Sequence, residues 1–270
     1  MSSPSPARAK LDALLAKTGS TRARVVWLSL PSPVVAGLVG RATPTAAVID
    51  REHGAIGIET AALMIQALQA AGTPALVRVP GAAPAAIAQA LDAGAAGVAV
   101  AQVESVEEAQ AAVRAHYFPP LGARGYAGPV IAATGFGADD DYVRRWNDTG
   151  LLIVQIESGE GLETATEIAR LDGVDMLFFG PFDYALDQGL DPATDADALA
   201  AAFQRIQASA RAAGKLSGTF PWPGLDPAAQ QEIGADLMAV ATDITALKKG
   251  LDVALSGANR RAMADRPAGD

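Results

Sequence analysis

Residues 151–183 read LLIVQIESGEGLETATEIARLDGVDMLFFGPFD. The runs Leu-Leu-Ile-Val and Met-Leu-Phe-Phe carry no polar alternation, which suits strands covered on both faces of a parallel sheet. Between them lies a segment of helical period, about three turns long. The pattern predicts a strand ending in Glu157, a helix, and a second strand ending in Asp183. In a closed β/α barrel the loops after the strands converge on one mouth, where ligands bind. Two carboxylates 26 positions apart in the chain can share one divalent cation there.

The same alternation extends outward in both directions. Toward the N-terminus, β-rich runs at 24–30, 46–50, 75–79 and 97–101 precede alanine-rich segments of helical period: one opened by Ser32-Pro33, then 58–71, 84–93 and 105–115. Ser32 followed by proline is an N-cap signal, and Ser105 with Glu108 has capping-box spacing. Toward the C-terminus come a helix over 195–213, a run at 215–220, a helix at 227–233, a run at 237–241 and a helix at 244–255. Eight strand-like runs, each followed by a helix, predict an α/β fold: a single (β/α)8 TIM barrel over 21–257. An open doubly wound sheet usually stops at about five or six strands. Residues 1–20 form an N-terminal extension with a short helix at 9–17, and 258–270 a flexible polar tail. A long connection over 117–149, with a charged helix around 139–147, is of a length that is often functional.

The chain has 270 residues, half of them hydrophobic, enough for one large core. Thirty acidic against 21 basic residues give a net charge of −9, so nucleic acid is excluded as a partner. There is no cysteine, hence no disulfide, thiolate ligand or catalytic thiol. The first residues lack the apolar stretch of a secretory signal. The most apolar region, 82–103, is broken by Gln89, Asp92 and glycines, so no membrane span is expected. A soluble cytoplasmic protein is the expectation.

Polar residues at the expected C-terminal strand ends are Asp50, Glu52, His53, Arg78, Gln102, Gln155, Glu157, Asp183, Trp222 and Asp243. A charge at a strand end is seldom there for core packing. Glu157 and Asp183 offer oxygen ligands suited to Mg²⁺ or Mn²⁺; the alternative is that one of them pairs with Arg78 and no metal binds. His53 lies three residues after Asp50, an arrangement in which an acid can orient an imidazole as general base; the alternative is an ordinary loop histidine. The planar fork of Arg78 suits a carboxylate or enolate oxygen, or else a structural ion pair. His116, at a helix end, reads as structural. Gly122, Gly125 and Gly128 do not follow a strand, which removes a dinucleotide reading. None of Lys10, Lys17, Lys215, Lys248 and Lys249 falls at a C-terminal strand end, so no Schiff-base lysine is expected.

Six segments stand in the order seen in one known family: Asp50-Arg51-Glu52-His53, Val77-Arg78-Val79-Pro80, Leu91-Asp92-Ala93-Gly94-Ala95, residues 119–125 (PPLGARG), Gln155-Ile156-Glu157 and Gly180-Pro181-Phe182-Asp183. Over residues 24–255 the chain resembles the HpcH/HpaI aldolases, metal-dependent class II pyruvate aldolases on (β/α)8 barrels. The resemblance implies that Glu157 and Asp183 hold Mg²⁺ or Mn²⁺, that Arg78 binds the pyruvate end, and that His53, paired with Asp50, handles protons. Gln155 would assist, the backbone amides of Phe182 and Asp183 would receive the carboxylate, and Trp27, Phe220 and Thr242 would shape the aldehyde pocket. It further implies cleavage of a 4-hydroxy-2-oxo acid to pyruvate, or a close analogue, and an aldehyde. The assembly implied is a homo-oligomer, a hexamer or trimer of dimers, and the helix at 244–255 is the candidate for exchange between subunits. Rival readings are a CoA-thioester lyase of the citrate lyase beta type and a non-catalytic barrel that binds 2-oxo acids.

Overall fold

A computed structural model describes residues 5–16, 20–224 and 233–264. Eight parallel strands close in sequence order: β1 (Ala23–Leu28), β2 (Ala46–Asp50), β3 (Ala75–Val79), β4 (Gly97–Val100), β5 (Leu151–Ile156), β6 (Met176–Phe179), β7 (Leu216–Thr219) and β8 (Leu237–Thr242). The helices around them are α1 (Pro6–Leu15), α2 (Pro33–Arg41), α3 (Ile58–Ala70), α4 (Pro84–Asp92), α5 (Val106–His116), α6 (Tyr142–Thr149), α7 (Gly159–Ala169), α8 (Pro181–Gln188), α9 (Ala196–Ala212) and, last among the described residues, α10 (Asp243–Ala264). The expected (β/α)8 barrel is the observed one. The helix expected at 227–233 falls almost wholly outside the described residues.

Both cap signals hold. Ser32 Oγ accepts from the Val35 amide at 3.3 Å, and Ser105 and Glu108 form the complete capping box. Strands β2 to β7 are buried at every residue, which is why they read as unbroken apolar runs.

Two cores result from the two-residue strand period. The inner one fills the barrel with Val25 and Trp27, Val48, Leu76, Ala99, Ile153, Phe178 and Ala239. Asp50, Arg78 and Gln155 follow on the same inward phase at the C-terminal ends. Helix α1 closes the other end: Ala7, Leu11 and Leu15 join the inner core, and Lys10 Nζ reaches both Asp175 Oδ2 and Tyr117 Oη at 3.0 Å.

Two expectations are corrected. The sixth strand ends at Phe179 and not at Asp183, because Pro181 has no N–H for a ladder and its fixed φ suits the first position of α8; Asp183 sits in that helix's first turn. Helix α10 continues to Ala264, so the start of the expected flexible tail is helical. The connection over 117–149 is anchored on the barrel flank. Buried Arg124 ion-pairs with Asp92 at 2.6 Å and lies over the rings of Phe118, Tyr142 and Trp146. His116 packs against Tyr117 and Trp146; complete burial pushes its pKa far down and keeps it neutral, in keeping with a structural role.

Candidate active site

The barrel's C-terminal mouth holds a cavity of about 350 Å³ lined by Trp27, Ser29, Asp50, His53, Arg78, Gln155, Gly180, Phe182, Asp183, Phe220 and Thr242. A cavity of similar size, about 380 Å³, lies at the N-terminal end around Arg8, Arg211 and Lys215. Ligands of β/α barrels bind at the C-terminal face, so the chemistry belongs to the mouth.

Asp50 and Arg78 face each other in register on β2 and β3. One edge of the guanidinium grips the carboxylate, Nε to Oδ1 at 2.8 Å and Nη2 to Oδ2 at 2.6 Å, while Nη1 lies 2.8 Å from Glu52 Oε2. All three side chains are nearly fully buried. Burial alone would push the Asp50 carboxyl up, but Arg78 and the amides of His53 and Glu52 hold it below its ordinary value. Burial raises Glu52 on balance, with Asp50 and Asp183 adding to the rise against the opposing charges of Arg78 and His53.

The pairing of Asp50 with the His53 imidazole is not formed. Asp50 Oδ1 instead accepts from the backbone amides of Glu52, at 3.1 Å, and His53, at 3.2 Å, so that it shapes the turn after β2. Its inward phase turns it toward Arg78. The His53 side chain stands 61% exposed at the rim, where Nε2 lies 4.0 Å from Glu52 Oε2. Glu52, to which sequence reasoning gave no role, is thus the acid between arginine and histidine. Its direct adjacency to His53 was the available signal.

Glu157 follows β5 directly. Its Oε1 accepts from the Gln102 amide at 2.7 Å, a backbone turned to φ 53° at that residue, and its Oε2 from Gln155 Nε2 at 3.1 Å. A Cβ on Gly180 would stand 2.5 Å from Glu157 Oε2, so only glycine lets the turn into α8 lie against this acid. Burial, with added repulsion from Asp183 and Glu52, pushes the Glu157 carboxyl up to about 7 despite the Gln102 amide and Arg78. Gln155 Oε1 is buried without a hydrogen-bond partner. Among the described residues no three His, Asp or Glu side chains come together as a ready metal cluster. At the start of α8, Pro181 has no N–H and no side chain caps the helix.

Two residues expected at the mouth are elsewhere in function. Trp222 is buried in the outer core against Phe179, because β7 ends at Thr219 and the chain turns outward. Asp243 accepts from the Ser29 and Leu30 amides, at 3.1 and 2.9 Å, and ties α10 to the end of β1. Trp27 and Phe220 do meet at the mouth, with ring centroids 4.6 Å apart and Arg78 5.3 Å over the indole.

A closed parallel barrel with acids and an arginine converging on its C-terminal mouth has the layout of a barrel enzyme. The chain belongs to the HpcH/HpaI aldolase/citrate lyase family, whose model matches residues 23–248, and so to the carbon–carbon lyases. It is 34% identical over 222 residues to the hydroxypyruvate/pyruvate aldolase of Roseovarius nubinhibens, covering 82% of this chain and 86% of that one. It is also 34% identical over 233 residues to the 4-hydroxy-2-oxo-heptane-1,7-dioate aldolase of Klebsiella pneumoniae, covering 84% and 86%. A crystal structure of an HpcH/HpaI aldolase/citrate lyase family protein from Burkholderia cenocepacia superposes with a TM-score of 0.82 at 32% identity, covering 95% of this chain and all of that one.

Proposed function

We propose that this chain is a cytoplasmic pyruvate aldolase that reversibly cleaves a 4-hydroxy-2-oxo acid to pyruvate, or a close analogue, and an aldehyde. The observation that carries this reading is the mouth cavity lined by Arg78 and Asp183, with the buried carboxyl of Glu157 close enough to feel the charge of both.

The donor set fits a hard divalent cation. Glu157 and Asp183, with the unpartnered Gln155 Oε1 nearby, offer oxygens only, and the burial and added repulsion that raise Glu157 are what a dication would offset. Glu157 and Asp183 would hold Mg²⁺ or Mn²⁺, which when bound acts as a Lewis acid toward a 2-oxo group. Two carboxylates leave positions for substrate and water.

The remaining roles fall to the chain itself. Arg78, locked by Asp50 and Glu52, places a fixed positive charge where enolate charge develops. His53, at the rim beside Glu52, takes and returns the proton. The amides of Phe182 and Asp183, at the uncapped start of α8, receive the pyruvate carboxylate. Trp27, Phe220 and Thr242 flank the aldehyde half.

We also infer a homo-oligomer. On α10, Ile244, Leu247, Leu251 and Leu255 are 41–64% exposed and recur at helical spacing as one apolar stripe. The resemblance implies that a second copy covers it.

A coupled pyruvate-release screen over hydroxy-oxo acids of differing length and charge tests the activity. Turnover that falls with EDTA and returns with Mn²⁺ or Mg²⁺ is expected. Silence across the whole panel would refute the aldolase, and full activity in metal-stripped protein would refute the metal role.

A further inference from the structure

Three non-glycine residues among those described take a left-handed backbone: Thr43 at φ 55°, Gln102 at 53° and Phe136 at 59°. A Cβ makes that conformation unfavourable, and glutamine is not among the residues enriched in it. Thr43 follows the end of α2 and gives its amide to Gly40 O, a common way for a helix to stop. Phe136 lies between Gly135 and Gly137 in a turn and gives its amide to Ile131 O. Gln102 differs from both, because its amide goes to a side chain, Glu157 Oε1, at 2.7 Å.

The strand ladder shows what the left-handed residue accomplishes. Alternate amides of a regular strand face the same neighbour. Past the end of β4 the Ala101 amide donates to Val79 O on β3, yet the Val103 amide donates to Gln155 O on β5. The chain changes sides at Gln102, and the amide of that residue turns to the carboxylate. The Gln102 side chain is exposed and makes no hydrogen bond to a described residue, so it offsets none of the strain. Glu157 is thereby held on both oxygens, by the Gln102 amide on one and by Gln155 Nε2 at 3.1 Å on the other. A main-chain donor has fewer freedoms than a side chain, so the orientation of the carboxylate is set before a ligand arrives.

We propose that Gln102 is a positioning residue whose left-handed backbone, and not its side chain, presets Glu157 for a divalent cation. The proposal rests on the reading of Glu157 as a metal ligand. Backbone strain persists where the surroundings over-determine it, and partners that orient a metal ligand commonly contribute about 10–100-fold to metal affinity.

The test reads the Mn²⁺ affinity of the full chain from the EPR signal of free Mn²⁺, with Tm followed in parallel. Glycine and asparagine tolerate a left-handed backbone, whereas valine, branched at Cβ, does not. Gln102→Val should weaken Mn²⁺ binding about tenfold or more, while Gln102→Gly and Gln102→Asn should stay within about threefold of wild type. Equal losses in Gln102→Gly and Gln102→Val would assign the role to the side chain and overturn the proposal. A Gln102→Val protein with lowered Tm and wild-type affinity would overturn it too, by making the residue merely structural. Should Gln102→Val fail to fold, Gln102→Thr, branched but polar, takes its place. Should neither fold, Gln102→Gly decides: wild-type affinity with a raised Tm upholds the proposal and any other result overturns it. Absence of Mn²⁺ binding by the wild type would remove the metal-ligand reading, and this proposal with it.

Discussion

Arg78 is the residue on which the mouth's geometry turns, since it neutralises two acids that the strand phase buries beside it. Removing one partner of a buried charge cluster leaves the others uncompensated, at a cost of about 3–5 kcal/mol. Arg78→Met should therefore abolish activity and lower Tm, with the deficit larger at pH 8 than at pH 5, where Asp50 and Glu52 can take up protons. A pH-independent Tm loss would contradict that cause. Glu157 has the opposite character, a carboxyl whose folded value of about 7 lies above the ordinary 4.5. Below pH 4.5 folded and unfolded chains both hold this proton. As pH rises the unfolded chain releases it first, so this contribution to stability shrinks until the folded carboxyl ionises near pH 7. The swing is on the order of 3 kcal/mol. In metal-free protein, thermal melts from pH 5 to 8 should show wild type losing stability relative to Glu157→Gln. Parallel melts of the two proteins would contradict it.

Short elements decide which atoms meet. The Asp-Arg-Glu-His segment announced chemistry in the sequence, but its spacing says nothing of strand phase, and phase sends Asp50 to Arg78 and leaves the imidazole at the rim. The register of Asp50 with Arg78, 28 positions away, is a property of neighbouring strands that no local pattern encodes. Trp222 failed for a similar reason: its place depended on where β7 stops, and element ends are the least legible feature of a sequence. His53 and Asp50 accordingly separate in experiment. His53→Ala, at an exposed side chain, should leave Tm within about 1 °C yet slow pyruvate proton exchange by roughly 100-fold. Asp50→Asn should lower both. Unchanged exchange in His53→Ala would remove it from the mechanism.

At the scale of the whole molecule the barrel was the most legible feature, because strands buried on both faces write themselves as apolar runs and eight of them fit one closed sheet. The outer faces of β1 and β8 break the rule. Arg24 and Val240 are exposed there, and α10 leaves its leucine stripe bare. Association through that stripe predicts that Leu247→Asp with Leu251→Asp shifts the native mass toward monomer in size-exclusion chromatography with light scattering. An unaltered oligomer would move the interface elsewhere. The central claim is that Glu157 and Asp183 act with Arg78 as one enolising site. Proton NMR of pyruvate in D₂O tests it most directly: methyl exchange should occur with wild type plus Mn²⁺ or Mg²⁺ and vanish with Glu157→Gln or with EDTA. Exchange at the wild-type rate in Glu157→Gln, with the metal stripped, would contradict the account.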